Sequence, residues 1–212
     1  MQRARAWHLL TALLALTALV LQLVLVVQGH RVLDETSQPG LGTRLVRFIA
    51  YFTIQSNILV AITAVQLARD PSRDGEGWRA LRIAAFAGIT VTGVVHFFLL
   101  RPLLDLDGAD YAADKLLHMV VPAVAFVGWV VFGPRPRVDG RAVARAIAWP
   151  VTWLVVILVA GGLSGWYPYP FLDHREPEGV TGVVVTSVGI TLFFLVIFWL
   201  ASLWDRRGEG TP

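Results

Sequence analysis

The chain has 212 residues, of which 56% are hydrophobic and 16% are charged, and its formal net charge is +3. A soluble domain carries about 25% charged residues, so this chain has more apolar side chain than a soluble core could bury, which indicates a membrane protein. Cysteine is absent, which excludes disulfides, haem thioether links and thiol catalysis.

Six apolar runs follow one another along the chain, and each has about the length that a helix needs to cross a bilayer core. In chain order, the predicted spans are 7–27, 46–68, 80–100, 115–132, 142–164 and 180–204. All 15 Asp and Glu residues lie outside these runs or at their ends, as expected if hydrocarbon excludes unpaired charge. We therefore predict one all-α, polytopic domain over residues 1–212 with six transmembrane helices.

The distribution of Lys and Arg predicts how the spans are oriented. The N-terminus, the 2–3 loop, the 4–5 loop and the C-terminus carry 12 of these residues, whereas the other three loops carry 6. This bias predicts that both termini are cytoplasmic. The same loop arginines account for the sequence pI near 9.8, which is therefore read as a result of topology. No nucleic-acid partner is expected.

Polar side chains gather at one predicted depth near the outer ends of spans 2, 3 and 4. At 1.5 Å per residue, Thr53 lies about 10 Å below the predicted outer boundary and His118 about 5 Å below it. His96 lies near the outer end of span 3, at a similar depth. The coincidence predicts one polar site in the outer leaflet, although a buried histidine bonded to a carbonyl would explain His96 equally well.

Span 2 presents a selective polar face. Thr53, Ser56 and Asn57 are spaced i, i+3 and i+4, so they share a face, whereas Gln55 points elsewhere and is expected to bond a neighbouring helix. The alternative is structural, because membrane Thr and Ser commonly bond the i−4 carbonyl and Asn and Gln commonly hold helices together. In span 4, Asp114 precedes His118 by one turn and is placed to orient its ring, although an acid is also favoured at a helix start.

Three segments resemble a known family of six-span membrane proteins. They are Phe52-Thr53, the pair His118 and Pro122, and the string Gly-Trp-Tyr-Pro-Tyr-Pro-Phe-Leu-Asp at 165–173. The family is the androgen-induced protein family, whose animal members hydrolyse fatty acid esters of hydroxy fatty acids with a membrane-embedded Thr and His. The interval from His118 to Pro122 is one residue shorter than in the animal proteins.

The resemblance implies that Thr53 is a nucleophile and His118 its base, with Tyr167 and Asp173 of the string as supporting residues. A Thr hydroxyl needs such a base, and a neutral His near the membrane interface can supply it. Asn57 or Gln55 could donate to the oxyanion. For the acid that orients the base, Asp114 is the first candidate and Asp173 the second.

The leading hypothesis is a lipid-ester hydrolase without a cofactor, acting on substrate from the bilayer. The cluster Gln55-Ser56-Asn57 resembles a bacterial branch, and the Arg/Ala/Val-rich composition predicts a high-GC bacterium, so the expected location is a bacterial cytoplasmic membrane.

Two other hypotheses remain open. One is a non-catalytic membrane protein, either a small-solute carrier or a lipid-binding protein, although the mid-membrane stretches lack the acids and broken helices of ion-coupled carriers. The other is a metal site from His96, His118 and an outer-loop acid, for which the sequence offers no close ligand spacing. Neither the substrate nor the oligomeric state is predicted.

Overall fold

The computed structural model describes residues 1–30, 38–135 and 137–207, and every regular element in these ranges is a helix or a helical turn. Arg31, which contributes to the outer-loop charge count, lies outside the described residues. The helices are α1 (Gln2–Gln28), α2 (Leu41–Ala50), α3 (Phe52–Arg69), α4 (Glu76–Val95), α5 (Gly108–Lys115), α6 (Val121–Phe132), α7 (Gly140–Ser164) and α8 (Gly179–Arg206). Two π-helical turns (His96–Leu100 and Leu116–Val120) and two 3₁₀ turns (Arg101–Leu103 and Pro170–Leu172) complete the elements.

Among the described residues, five continuous helical segments are long and apolar enough to cross a membrane, and the number rises to six if the bent pair Leu41–Ala50 and Phe52–Arg69 forms one span. The prediction of an all-α polytopic membrane protein is therefore confirmed. The continuous segments are Gln2–Gln28, Glu76–Leu103, Gly108–Phe132, Gly140–Ser164 and Gly179–Arg206. Their ends lie within a few residues of the predicted ones, except that the fourth span begins seven residues earlier than predicted.

The second span is not the straight helix that was predicted for residues 46–68. Helices α2 and α3 meet at Tyr51, where the backbone is extended, and their axes differ by 67°. The Tyr51 N–H still bonds the Arg47 carbonyl, while the Tyr51 carbonyl accepts from the N–H groups of Ile54 and Gln55. Tyr51 therefore ends one helix and begins the next.

The reason for the break lies in the side chains of α2. Leu45, Val46 and Ile49 are exposed along one side of this helix, whereas Arg44 and Arg47 lie with the buried Phe48 on the side that faces the protein. Such an amphipathic helix is suited to lie along a membrane interface. The bend follows because α3 alone, with 18 residues, is about 27 Å long and nearly spans the hydrocarbon core.

Helix α4 is the centre of the bundle. It packs against α3 on one side and against α7 and α8 on the other, and α1 and α6 complete the first group. In its most apolar 18-residue window 61% of the residues are buried, against 28% or less in the other four continuous spans. The bundle therefore has two apolar cores, and α4 contributes to both of them.

Close contact between α4 and α6 brings two histidine-bearing turns together. Pro122 has no N–H, so the His118 carbonyl lacks its usual i+4 donor, and the π-helical turn Leu116–Val120 accommodates this defect. A Cβ on Gly93 would lie 3.2 Å from Pro122 and 3.3 Å from the His118 carbonyl oxygen. Glycine at this position thus allows the backbones to approach, one turn before His96.

Candidate active site

Thr53 is the second residue of α3, so it lies at the end of a membrane-crossing helix. Its side chain is buried. The depth of about 10 Å predicted for Thr53 assumed a straight helix from residue 46, and the break at Tyr51 moves Thr53 close to the predicted outer boundary instead. At this position the backbone N–H has no intrahelical acceptor, and the Thr53 N–H donates to the Tyr169 hydroxyl at 3.2 Å.

A chain of hydrogen bonds joins Thr53, His118 and Asp114. The Thr53 Oγ1 lies 3.2 Å from His118 Nε2, and His118 Nδ1 lies 3.0 Å from both Asp114 Oδ1 and the Asp114 carbonyl oxygen. Carboxylate and carbonyl oxygens only accept, so Nδ1 carries the ring proton and Nε2 is left as an acceptor. The Thr53 hydroxyl therefore donates to Nε2, which is the arrangement that general-base activation of a hydroxyl requires.

Asp114 holds a second histidine as well. His96 is 1% exposed, and its Nε2 lies 2.7 Å from the same Asp114 oxygen, Oδ1. The distance is that of an ion pair, but the contact is not aligned as a hydrogen bond, since neither ring nitrogen of His96 has a hydrogen-bond partner among the described residues. The other carboxylate oxygen of Asp114 lies 3.3 Å from Lys115 Nζ. Two imidazoles and one ammonium group thus surround a buried carboxylate.

The two imidazole rings are stacked. The ring centroids of His96 and His118 lie 3.9 Å apart, and the ring planes differ by 10°. His96 therefore covers one face of the His118 ring and limits its rotation. The three side chains that the sequence placed at one depth, those of Thr53, His96 and His118, do converge.

Ser56 and Asn57 lie on the same buried face of α3 as Thr53, but their hydrogen bonds connect helices. Asn57 Nδ2 donates to the carbonyls of Thr53 and Leu117, at 2.9 and 3.3 Å. The Ser56 hydroxyl accepts from Thr92 of α4 at 3.2 Å. Both Asn57 amide protons are thus engaged by backbone carbonyls, so this geometry does not support the oxyanion role suggested for Asn57.

Gln55 points away from this face and fastens the bend of the second span. Its Nε2 donates to the Ile49 carbonyl at 3.0 Å, and its Oε1 accepts from Trp149 of α7 at 2.9 Å. Gln55 therefore bonds a neighbouring helix, as its direction on α3 indicated. It does not face Thr53, and the suggested oxyanion role lacks support for this residue too.

The string at 165–173 contacts the site through Tyr169 and not through Tyr167, the tyrosine selected from the sequence. The Tyr167 hydroxyl lies 3.3 Å from His174 Nδ1 at an exposed position, and its ring rests against Gly161. Asp173 is held by Arg175, which donates from Nε at 2.8 Å and lowers the pKa of the Asp173 carboxyl. Of the two candidate acids, Asp114 is the one that contacts His118, whereas Asp173 is engaged by Arg175.

Tyr169 is the site residue that the sequence did not single out. Its hydroxyl lies 3.3 Å from Thr53 Oγ1, and the side chain is buried. Its ring stacks on Phe171 at 5.2 Å and meets the edge of Tyr51 at 5.6 Å. Two tyrosines separated by one proline occupy the string, and no sequence signal distinguishes the buried Tyr169 from the half-buried Tyr167.

Two cavities meet at Thr53 and Tyr169. The first has about 90 Å³ of free volume between α4, α7 and α8, and apolar side chains form most of its wall. The second, about 110 Å³, extends from the site towards α1 and α2 and contains His30, Arg44 and Arg47 in its wall. An extended molecule could therefore place an apolar part in the first cavity and a polar part in the second, with its middle beside Thr53.

The fold also brings together a set of potential metal ligands, although the sequence spacing showed none. Ligand atoms of His96, Asp114 and His118 all lie within 4.8 Å of one another. An imidazole nitrogen binds a metal along its in-plane lone pair, and the two stacked rings confine these lone pairs to separate, nearly parallel planes. A metal about 2.0 Å from His96 Nε2 and His118 Nδ1 would lie far outside both ring planes. The arrangement fits proton transfer better than metal binding.

Comparisons with protein-family models, with curated proteins and with solved structures found no match. The function has to be inferred from the geometry of the site and from the residues that form it.

Proposed function

We propose that the chain is an integral membrane hydrolase of lipid esters, with Thr53 as nucleophile, His118 as general base and Asp114 as the acid that orients the base. The observation that carries this proposal is the chain of contacts from Thr53 Oγ1 to His118 Nε2 and from His118 Nδ1 to Asp114, at 3.2 and 3.0 Å. The same three roles recur in serine hydrolases of unrelated folds. The resemblance to the androgen-induced protein family supports the same assignment of Thr53 and His118.

The reaction would proceed in two halves. In the first, Thr53 Oγ1 attacks the ester carbonyl carbon while its proton passes to His118 Nε2. The bond from carbon to the alcohol oxygen then breaks, His118 returns the proton to the leaving alcohol, and an acyl ester remains on Thr53. In the second half, water attacks this ester, His118 takes and returns a proton, and the carboxylic acid leaves with Thr53 restored.

The position of the site supports a substrate that comes from the bilayer. Thr53 lies in the first turn of α3, and an ester carbonyl of a lipid lies near the boundary between headgroups and hydrocarbon, which matches the end of a crossing helix. The apolar cavity between α4, α7 and α8 is suited to an acyl chain. From the arginine distribution we infer that the site is in the outer leaflet, and from the Arg/Ala/Val-rich composition that the membrane is a bacterial cytoplasmic membrane.

The experiment is turnover of lipid esters by detergent-purified protein. The substrates are a fatty acid ester of a hydroxy fatty acid and a long-chain p-nitrophenyl ester. Thr53→Ala and His118→Ala should each lower kcat by orders of magnitude, and the double variant should be little worse than the worse single one, because groups that act as one unit are non-additive. A fluorophosphonate should label the wild-type chain at Thr53.

Thr63→Ala is the matched control. Thr63 lies on the same helix, is equally buried, and its hydroxyl donates to the Leu59 carbonyl at 2.8 Å, away from the site. This variant should keep full turnover, and thermal melts should show that all variants are folded. Full activity in folded Thr53→Ala would refute the mechanism and favour the non-catalytic alternative, in which the two cavities bind a lipid or another small molecule without turnover.

A further inference from the structure

We propose that Tyr169 is the catalytic oxyanion donor of this site, a role that neither Asn57 nor Gln55 is placed to fill. The inference rests on the proposed function, because it concerns the negative charge that develops on the ester carbonyl oxygen when Thr53 attacks. Hydrolases stabilise this charge with hydrogen-bond donors that are already in place before the reaction.

The direction of each hydrogen bond follows from the number of protons available. The Thr53 hydroxyl has one proton, and His118 Nε2 is its acceptor at 3.2 Å. The Tyr169 oxygen accepts from the Thr53 N–H, so its own single proton is free to point elsewhere. Its near acceptor is Thr53 Oγ1, at 3.3 Å. Tyr169 therefore donates to the atom that attacks the substrate.

The hydroxyl of Tyr169 is held in place and kept protonated. The ring is fixed between Tyr51 and Phe171, and the Thr53 N–H at the start of α3 directs the positive end of the helix at the phenol oxygen. Accepting this bond makes the phenol a stronger donor. Burial raises the pKa of Tyr169, so the phenol carries its proton at neutral pH.

The step requires no proton transfer from Tyr169. As the bond between Thr53 Oγ1 and the carbonyl carbon forms, the carbonyl oxygen becomes an oxyanion one bond beyond the attacked carbon. The phenol O–H then moves its hydrogen bond from Thr53 Oγ1 to this oxyanion, while the Thr53 proton goes to His118. Tyr169 also lines both cavities, so it faces the substrate whichever cavity holds the acyl part of the ester.

The first test is Tyr169→Phe, which removes the hydroxyl and keeps the ring. We expect kcat to fall about 10²- to 10³-fold with little change in KM, because the donor acts on the transition state and not on the bound ester. An alkyl trifluoromethyl ketone, which forms a tetrahedral oxyanion on the nucleophile, should lose affinity by a similar factor. Tyr167→Phe is the matched control, since that hydroxyl meets His174 at the surface, and it should change neither quantity.

A second variant separates donation from packing. A fluorinated tyrosine incorporated at position 169 keeps the shape but ionises at lower pH, and a phenolate cannot donate. The alkaline limb of the kcat profile should therefore move to lower pH, which a purely structural role of Tyr169 would not cause.

The outcomes separate this inference from the function on which it rests. Turnover that Thr53→Ala abolishes but that both Tyr169 variants leave unchanged would overturn the inference and leave the hydrolase intact. Equal weakening of ester binding and ketone binding, with kcat preserved, would also overturn the inference, because that pattern indicates that Tyr169 contacts the bound ester in its ground state only. Absence of turnover and of Thr53 labelling in the wild-type chain would overturn both.

Discussion

Replacing Asp114 by asparagine removes one negative charge from beside His118 and leaves the size of the side chain unchanged. When Thr53 attacks, His118 becomes an imidazolium ion whose Nδ1 lies 3.0 Å from Asp114 Oδ1. At an effective dielectric constant of about 20, this separation corresponds to about 5–6 kcal/mol of attraction. Lys115 Nζ, 3.3 Å from the other carboxylate oxygen, offsets part of it. We therefore expect kcat/KM to fall roughly 10²- to 10⁴-fold.

The measurement is hydrolysis of the same lipid esters by purified variants, with thermal melts recorded in parallel. Asp110→Asn is the control, because Asp110 lies one turn earlier on α5 and also pairs with a histidine, His30, at 2.6 Å. That variant should keep turnover close to wild type. A folded Asp114→Asn protein whose kcat/KM stays within a few-fold of wild type would refute the assignment of Asp114 and the electrostatic argument with it.

Two further predictions concern the packing of the site and its side of the membrane. Gly93→Ala places a methyl group 3.2 Å from Pro122 and 3.3 Å from the His118 carbonyl oxygen, so it should separate α4 from α6 and disturb the stacked histidines. Both Tm and turnover should therefore fall. The control is Gly189→Ala, because a Cβ at position 189 meets no other atom within 4 Å. Single cysteines introduced into this cysteine-free chain test the side of the membrane. An impermeant maleimide on intact cells should react with cysteines at three exposed outer positions and not with a cysteine at an inner one. The reverse pattern would contradict an outer-leaflet site. The outer positions are Gln38, Asp105 and Glu176, and the inner one is Ser72.

The spans were predictable because the energy of burying a helix in hydrocarbon is local. Each apolar run has to satisfy its backbone within itself, so length and composition are enough to place its ends within a few residues. The fourth span shows the limit of this argument. The polar residues Asp110 and Asp114 kept residues 108–114 out of the predicted span, but the helix already begins at Gly108, and Asp114 is paired with His96 of the preceding span as well as with its neighbours Lys115 and His118.

Part of the site was also accessible from the sequence. Helical spacing puts Thr53, Ser56 and Asn57 on one face, and the alternating direction of the spans places Thr53, His96 and His118 near the same side of the bundle. Depth is a single coordinate, however, and it does not decide which side chains touch. The contacts of His96 and His118 with one Asp114 oxygen depend on how closely α4 and α6 approach at Gly93.

Only the tertiary structure decided the break at Tyr51 and the choice of Tyr169 over Tyr167. No proline or glycine marks residue 51. The helix ends there because Arg44 and Arg47 make one side of α2 polar, and because the Tyr169 hydroxyl takes the Thr53 N–H group that a continuous helix would have bonded internally. Hydropathy measures how apolar a run is, whereas the end of a helix depends on where its backbone donors find acceptors, and here the acceptor lies 116 residues further along the chain.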